Sequence, residues 1–172
     1  MLSFTRPVLS LPVGTDTAYG DELTINTREL RATAVAGIKW RDISNDVQRI
    51  VAHSRIREGM MVAHTIHSTT ALYLNENDGD YLVTTDIPRM LERFCPKGVS
   101  YAHDCEERLS ALPNEPKNGH AHLQSILLGG IWPIPVRHHE IRLGPYQQII
   151  FYDLDPENRP CRTIVTQVLG IR

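Results

Sequence analysis

The stretch from Met60 to Asn75 constrains the fold most, because it holds two β-forming runs separated only by hydroxyl residues. From Met60 to His67, Met61, Ala63, Thr65 and His67 share one face, and Val62, His64 and Ile66 share the other. Ser68, Thr69 and Thr70 turn the chain, and Ala71 to Asn75 reads as the next strand. On a regular strand His64 and His67 point apart and do not line one site. Asn75, Glu76 and Asn77 then set a carboxylate between two amides at a strand end, a place for ligand contacts and for hydrogen-bonded turns alike.

Around this hairpin the remaining elements are short. Residues 1–20 read as an extended arm punctuated by Pro7, Pro12, Gly14 and Gly20. Glu22 to Thr27 is expected as a strand with Leu23, Ile25 and Thr27 on one face. Ala32 to Trp40 is expected as a second, with Gly37 marking a bulge. Ser44 is expected to cap a helix in which Val47, Ile50 and Val51 recur at helical spacing to about Ser54. Arg57 to Gly59 reads as a turn. Leu82, Ile87, Met90, Leu91 and Phe94 give a second helix, with Pro88 in the first turn of its better-formed half. Leu109 to Asn118 reads as a loop from its prolines and asparagines. A third helix runs from His120 or Ala121 to Leu128, before Gly129-Gly130.

Four β-runs follow: Ile131–Val136, Glu140–Leu143, Gln147–Tyr152 and Cys161–Leu169, with Arg137-His138-His139 as a turn. This order predicts an α+β fold, a single domain over 21–172 with a mixed, mainly antiparallel β-sheet and about three helices.

Composition narrows the function classes. A net charge of −2 over 172 residues gives no electrostatic reason to expect nucleic acid. Only Lys39, Lys97 and Lys117 among the 18 basic residues are lysines, so phosphate or carboxylate recognition and surface ion pairing would both fall to arginine forks. Three cysteines without Cys-x-x-Cys spacing argue against a disulfide framework and a zinc ribbon. The apolar run from Pro7 to Val13 is too short for a membrane span and lacks a signal-peptide shape. A reduced, cytoplasmic protein without membrane association is the expectation.

Eight histidines raise the question of metal. His103 and Glu106 lie three apart, close enough to meet on a turn or helix face. His120 and His122 face nearly opposite ways on one helix, unless the helix starts between them and His122 turns inward. Two histidines with a carboxylate make a usual ligand set for a divalent ion. No compact His-Glu-x-x-His pattern occurs, so surface or hydrogen-bonded histidines remain the alternative.

These residues also carry a resemblance. His67-Ser68-Thr69-Thr70, Leu74-Asn75-Glu76-Asn77, Tyr101 with His103 and Glu106, Ala121-His122-Leu123, Leu127-Leu128-Gly129, Pro133 to Val136, and Leu143-Gly144 with Gln147 occur in order. From about Asp42 to Gly170 the chain resembles the YjbQ family, which is associated with a secondary thiamine-phosphate synthase activity. Glu107, His120 and Pro145-Tyr146 depart from the family pattern, and Leu109 to Lys117 looks like an insertion.

The resemblance implies a homotrimer and a polar pocket fed by His67, Asn75, Glu76, His103, His122 and Gln147. His103 and His122, with Glu106, are the candidate ligands of a divalent ion, zinc or magnesium. His67 and Glu76 are the candidate proton-transfer groups. Asn75, Arg137, Arg142 and Gln147 are candidates for binding a small phosphate-bearing substrate. Two other readings stay open: a different metal-dependent hydrolase or transferase on the same scaffold, and a non-catalytic small-ligand or assembly protein.

Overall fold

The computed structural model describes residues 14–19, 23–33, 39–112, 114–130, 132–159 and 161–172. Nine strands and four α-helices follow one another as β1 (Gly14–Tyr19), β2 (Leu23–Thr33), β3 (Trp40–Asp42), α1 (Ser44–Ser54), β4 (Glu58–Thr65), β5 (Thr70–Asn75), α2 (Ile87–Phe94), α3 (Glu106–Ala111), α4 (Gly119–Leu128), β6 (Pro133–Arg137), β7 (Glu140–Ile141), β8 (Gln148–Asp153) and β9 (Cys161–Ile171). The strands form two antiparallel sheets, a six-stranded one in the order β1-β2-β9-β4-β6-β7 and a three-stranded one in the order β3-β8-β5.

The small sheet is apolar on both faces, which fixes the layering. Leu72, Ile149 and Phe151 face the large sheet and α1, packing with Val47, Ile50, Met61, Ile134, Ile164 and Val168. Tyr73, Ile150 and Tyr152 face the other way and pack under Val83, Ile87, Leu91 and Ala121 of the helical layer. A strand buried on both faces reads as a continuous apolar run, as Ile149 to Tyr152 does. The Tyr73 hydroxyl lies in this second cluster with no hydrogen-bond partner among the described residues.

Several expected elements change. Gly14–Tyr19 of the expected arm is β1, paired with β2, while residues 1–13 and the Gly37 bulge lie outside the described residues. The two strands expected near 22–27 and 32–40 are replaced by the continuous β2 and the short β3. In β2 the buried face carries Thr24, Asn26, Leu30 and Ala32, so the apolar residues Leu23 and Ile25 lie on the outer face. Those two polar residues hid the alternation. The Ser44 hydroxyl accepts from the Ile149 amide (2.8 Å) instead of capping α1, and the Asp42 carboxylate receives the Ser44 amide (2.9 Å).

The second helix begins as a wider π-turn over Leu82–Asp86. There the Val83 and Asp86 amides each reach five residues back, to Asp78 and Tyr81 (both 3.0 Å), ahead of Pro88, which has no amide to donate. Gly59 is not in a turn but inside β4, opposite Gly170 of β9. A Cβ on either residue would meet backbone, 2.1 Å from the Leu169 oxygen or 2.2 Å from the Glu58 oxygen. His138 (φ 54°) and His139 (φ 66°) make the expected turn, both left-handed, as a two-residue hairpin loop requires.

At one end, the two sheets are joined by charge. Arg162, on the buried face of β9 and 1% exposed, donates to both oxygens of Asp153 at the end of β8 (2.9 and 2.8 Å) and to the Asp155 carbonyl (2.8 Å). Removing one partner of a buried pair strands the other charge. Arg162→Met is therefore expected to lower unfolding free energy by about 3–5 kcal/mol in urea titrations. The double variant with Asp153→Leu should recover part of that loss, and an Arg162→Met chain as stable as wild type would show that the pair does not hold the sheets.

Candidate functional site

Three segments bring imidazoles and a carboxylate together. His103 lies on a short 3-10 turn (Ala102–Asp104), Glu115 on the loop after α3, and His122 in the first turns of α4. One ligand atom from each falls within 4.8 Å of the others. The two imidazole rings sit 4.6 Å apart between centroids, and His103 Nε2 is 3.8 Å from Glu115 Oε1.

The surroundings orient these groups. The Asp104 carboxylate accepts from His103 Nδ1 (2.8 Å) and from the Gly119 amide (3.0 Å), so the His103 turn is tied to the start of α4. This puts the His103 proton on Nδ1 and leaves Nε2 facing Glu115. Burial by itself raises the Asp104 pKa, but the bonds from His103 and Gly119 outweigh it and hold the carboxyl below its usual range. Gly119 also has no room for a side chain, since a Cβ there would lie 2.8 Å from Tyr101 Cβ. Arg108 donates to the His103 carbonyl (3.0 Å) and to Glu115 (3.1 Å), and lowers the Glu115 pKa. His122 is pushed down by burial first and then by His103, so it is neutral near pH 7.

This donor set fits a divalent ion, zinc better than magnesium, because imidazole nitrogens suit zinc and magnesium prefers oxygen. Two ligands on a tetrahedral zinc ion sit about 3.4 Å apart, so closing the cluster takes side-chain shifts of about 1 Å. A carboxylate behind a ligating histidine, as Asp104 stands behind His103, is the usual supporting partner.

The sequence-predicted residues divide into separate groups. His103 and His122 meet, whereas Glu106 is exposed at the start of α3 and is not in the cluster. Glu115 takes the carboxylate position instead. It lies in the stretch that resembles an insertion, so no family motif pointed to it. No helix was expected at α3, whose second half, from Leu109, falls in the expected loop. Its first turn carries Glu106 and Glu107, which complement the helix dipole.

His67 lies beyond the end of β4, next to the Arg162–Asp153 pair. Its Nε2 accepts the Thr163 amide (2.9 Å), and burial followed by Arg162 lowers its pKa. His64 and His67 both line a cleft of about 310 Å³ beside α4, because β4 ends at Thr65 and the regular alternation ends with it. Asn75 and Glu76 are exposed at the opposite end of β5, and Asn75 pairs with Gln148 next to Gln147. The Asn75 side chain accepts the Glu76 amide (2.8 Å), and the Gln147 side chain accepts the Gly144 amide (2.8 Å). Both amides thus serve local turns.

Arg137 and Arg142 are exposed at the β6–β7 hairpin. Arg137 pairs with Glu58, while Thr65 pairs with Ile164 at the other end of β4. That separates the arginines from the His67 end by about 23 Å, at 3.3 Å per strand residue.

A polar chain links the two histidine regions. Asn118, just before α4, donates to Asp155 Oδ2 (2.8 Å), and the Asp155 carbonyl receives Arg162. His120 is buried beside this chain, and burial lowers its pKa.

Two antiparallel sheets under a helical layer, with histidines converging at the start of one helix, define a small α+β domain with a candidate metal centre. The chain belongs to the family of YjbQ-like UPF0047 proteins, whose sequence profile matches residues 28–171. A UPF0047 protein of Methanothermobacter thermautotrophicus is 35% identical over 144 residues, covering 83% of this chain and 93% of the relative. One from Archaeoglobus fulgidus is 34% identical, covering 74% of this chain and 90% of the relative. Among solved structures, a YbjQ-like protein of unknown function from Sulfolobus solfataricus superposes with a TM-score of 0.73 at 26% identity, over 86% of this chain and 99% of that one. A YjbQ/UPF0047 family protein from Clostridium acetobutylicum gives 0.66 at 28% identity, over 81% and 98%. No helix among the described residues is long and apolar enough to cross a membrane.

One buried and two half-buried histidines predict a pH dependence of stability. His67, His120 and His122 all have native pKa values below the ordinary 6.5, so below that pH the unfolded chain binds protons that the native chain refuses. Stability is full above about 7 and falls as pH drops through 6.5, a window above the titration of Asp104. His120→Gln should flatten the fall in urea midpoints. An unchanged slope would mean that His120 carries none of it.

Proposed function

We propose that this chain is a small-molecule enzyme of the YjbQ type in which His103, His122 and Glu115 hold one divalent ion, zinc by its donor set. Its substrate is small and phosphate-bearing, and thiamine-phosphate synthesis is at most a weak side activity. The observation that carries this reading is the convergence of two imidazoles and a carboxylate from three segments, with Asp104 behind His103. When bound, the ion supplies a Lewis acid for a phosphoryl oxygen or lowers the pKa of a coordinated water. Asp104 orients His103 Nε2 toward the ion, and Arg108 steadies Glu115.

The test is metal content of untagged protein, measured by elemental analysis. About one zinc ion per chain is expected in wild type and little in His122→Ala, because two remaining ligands do not complete the shell. Near-zero metal in both would return the cluster to a hydrogen-bonded network held by Arg108, and favour a non-catalytic ligand-binding protein. If metal is present, a panel of phosphoesters and diphosphates separates a synthase-like transferase from another metal-dependent hydrolase or transferase.

The same reading includes a homotrimer working in the cytoplasm. Cys95, Cys105 and Cys161 are all unpaired, which fits a reducing compartment. Leu23, Met60, Leu169 and Ile171 crowd the outer face of the large sheet, and Ile126 (74% exposed) and Trp132 (55%) project near the end of α4. Exposed apolar groups in such number are what a subunit interface covers. Light scattering coupled to gel filtration should give the mass of three chains, and a monomer mass would end the claim.

A further inference from the structure

The cleft between the end of β4, β5 and the end of α4 is a second feature with its own chemistry. At about 310 Å³ it stands at the lower end of the roughly 300–1,000 Å³ usual for small-molecule pockets. Among the described residues its walls carry no carboxylate, lysine or arginine. Ala63, Ala71 and Leu72 supply an apolar floor, and Gly129-Gly130 closes one side.

Most of its hydroxyls are already committed. The Ser125 hydroxyl donates to the Thr70 carbonyl (2.7 Å), and the Thr70 hydroxyl donates to the His67 carbonyl (2.9 Å). The Thr70 hydroxyl can then only accept from Thr65, its other partner. His67 is different. Because its Nε2 accepts the Thr163 amide, the neutral ring carries its proton on Nδ1, and no atom of the described residues accepts that proton. His67 lines the cleft and so brings to it a donor of fixed tautomer with no partner among the described residues.

We propose that this cleft binds a small uncharged ring compound, with a carbonyl or ring-nitrogen acceptor bonded to His67 Nδ1–H. A charged ligand would be desolvated there with no carboxylate, lysine or arginine among the described lining residues to pair with it. His122 and Ser125 are three residues apart on α4, about 4.5 Å along the helix axis, so the cleft opens roughly one turn from the His103–His122–Glu115 cluster. The inference goes beyond the metal reading and stands without it, since none of the three cluster residues lines the cleft.

The experiment is an NMR titration of the full chain, following backbone amides, with benzamide as the uncharged probe and benzoate as its charged counterpart. Benzamide should give saturable shifts at amides of 65–71 and 125–130, with benzoate much weaker. Ser68→Trp places an indole at the mouth from an exposed position and should abolish the response in a folded protein. His67→Ala, which removes one hydrogen bond to the probe as well as the one from the Thr163 amide, should weaken it by about threefold to tenfold. The double variant His103→Ala/His122→Ala should leave benzamide binding intact, which separates this site from the metal proposal. The inference is overturned by the absence of saturable shifts at these amides, by benzoate binding as tightly as benzamide, or by an undiminished response in Ser68→Trp. It is equally overturned if the cleft amides ignore the probe but shift with protein concentration, because a second copy then fills the space.

Discussion

The buried Arg162–Asp153 pair sets where the two sheets of this domain can meet. Arg162 comes from the large sheet and Asp153 from the small one, and the fork geometry of the guanidinium admits essentially one relative placement. Because the same guanidinium also reaches the Asp155 carbonyl, the turn between β8 and β9 is fixed with it. Asp155 then receives Asn118 at the start of α4. His67 lies alongside and accepts the amide of the residue after Arg162. A pair whose net stabilisation is modest once desolvation is counted thus acts mainly as a register mark, positioning the histidine-bearing loop and the histidine-bearing helix from one anchor.

Much of the framework was legible from residue patterning, and the exceptions have physical causes. The alternation of β9 and the apolar run of β8 identify themselves, as does the helical spacing of α1. β2 was hidden because its inward face carries Thr24 and Asn26, so a reader following apolar residues follows the wrong face. The irregular start of the second helix escaped because hydrophobic spacing does not distinguish a π-turn from an α-turn over five residues. Gly59 reads as a turn glycine in isolation. Only the approach of Gly170 across the ladder shows why it belongs within a strand.

In the candidate site, His103 and His122 stood out by residue type and motif, and they do meet. Glu106 was chosen by its spacing from His103 and by the motif they share with Tyr101, but α3 begins there and leaves it exposed. Glu115 was invisible because its proximity depends on how a loop folds back, held by Arg108, and no local pattern encodes that. His64 and His67 were assigned to opposite faces by a rule that holds only while the strand lasts. The strand stops at Thr65, and both line the same cleft. Asn75, Glu76 and Gln147 do gather as neighbours, but at the other end of the small sheet from His67.

Glu115 is supplied by a connection whose described residues belong to neither hydrophobic cluster. Surface loops of this kind change length at low thermodynamic cost, about 0.6 kcal/mol for each doubling. Inheritance of the scaffold and inheritance of the donor set are therefore separable here. Shortening the segment around Glu115 would leave two imidazoles and Asp104 in place with the acidic position vacated. Within this family, an identical fold is then a poor guide to whether a member keeps this cluster, and the residues between α3 and α4 are the better one.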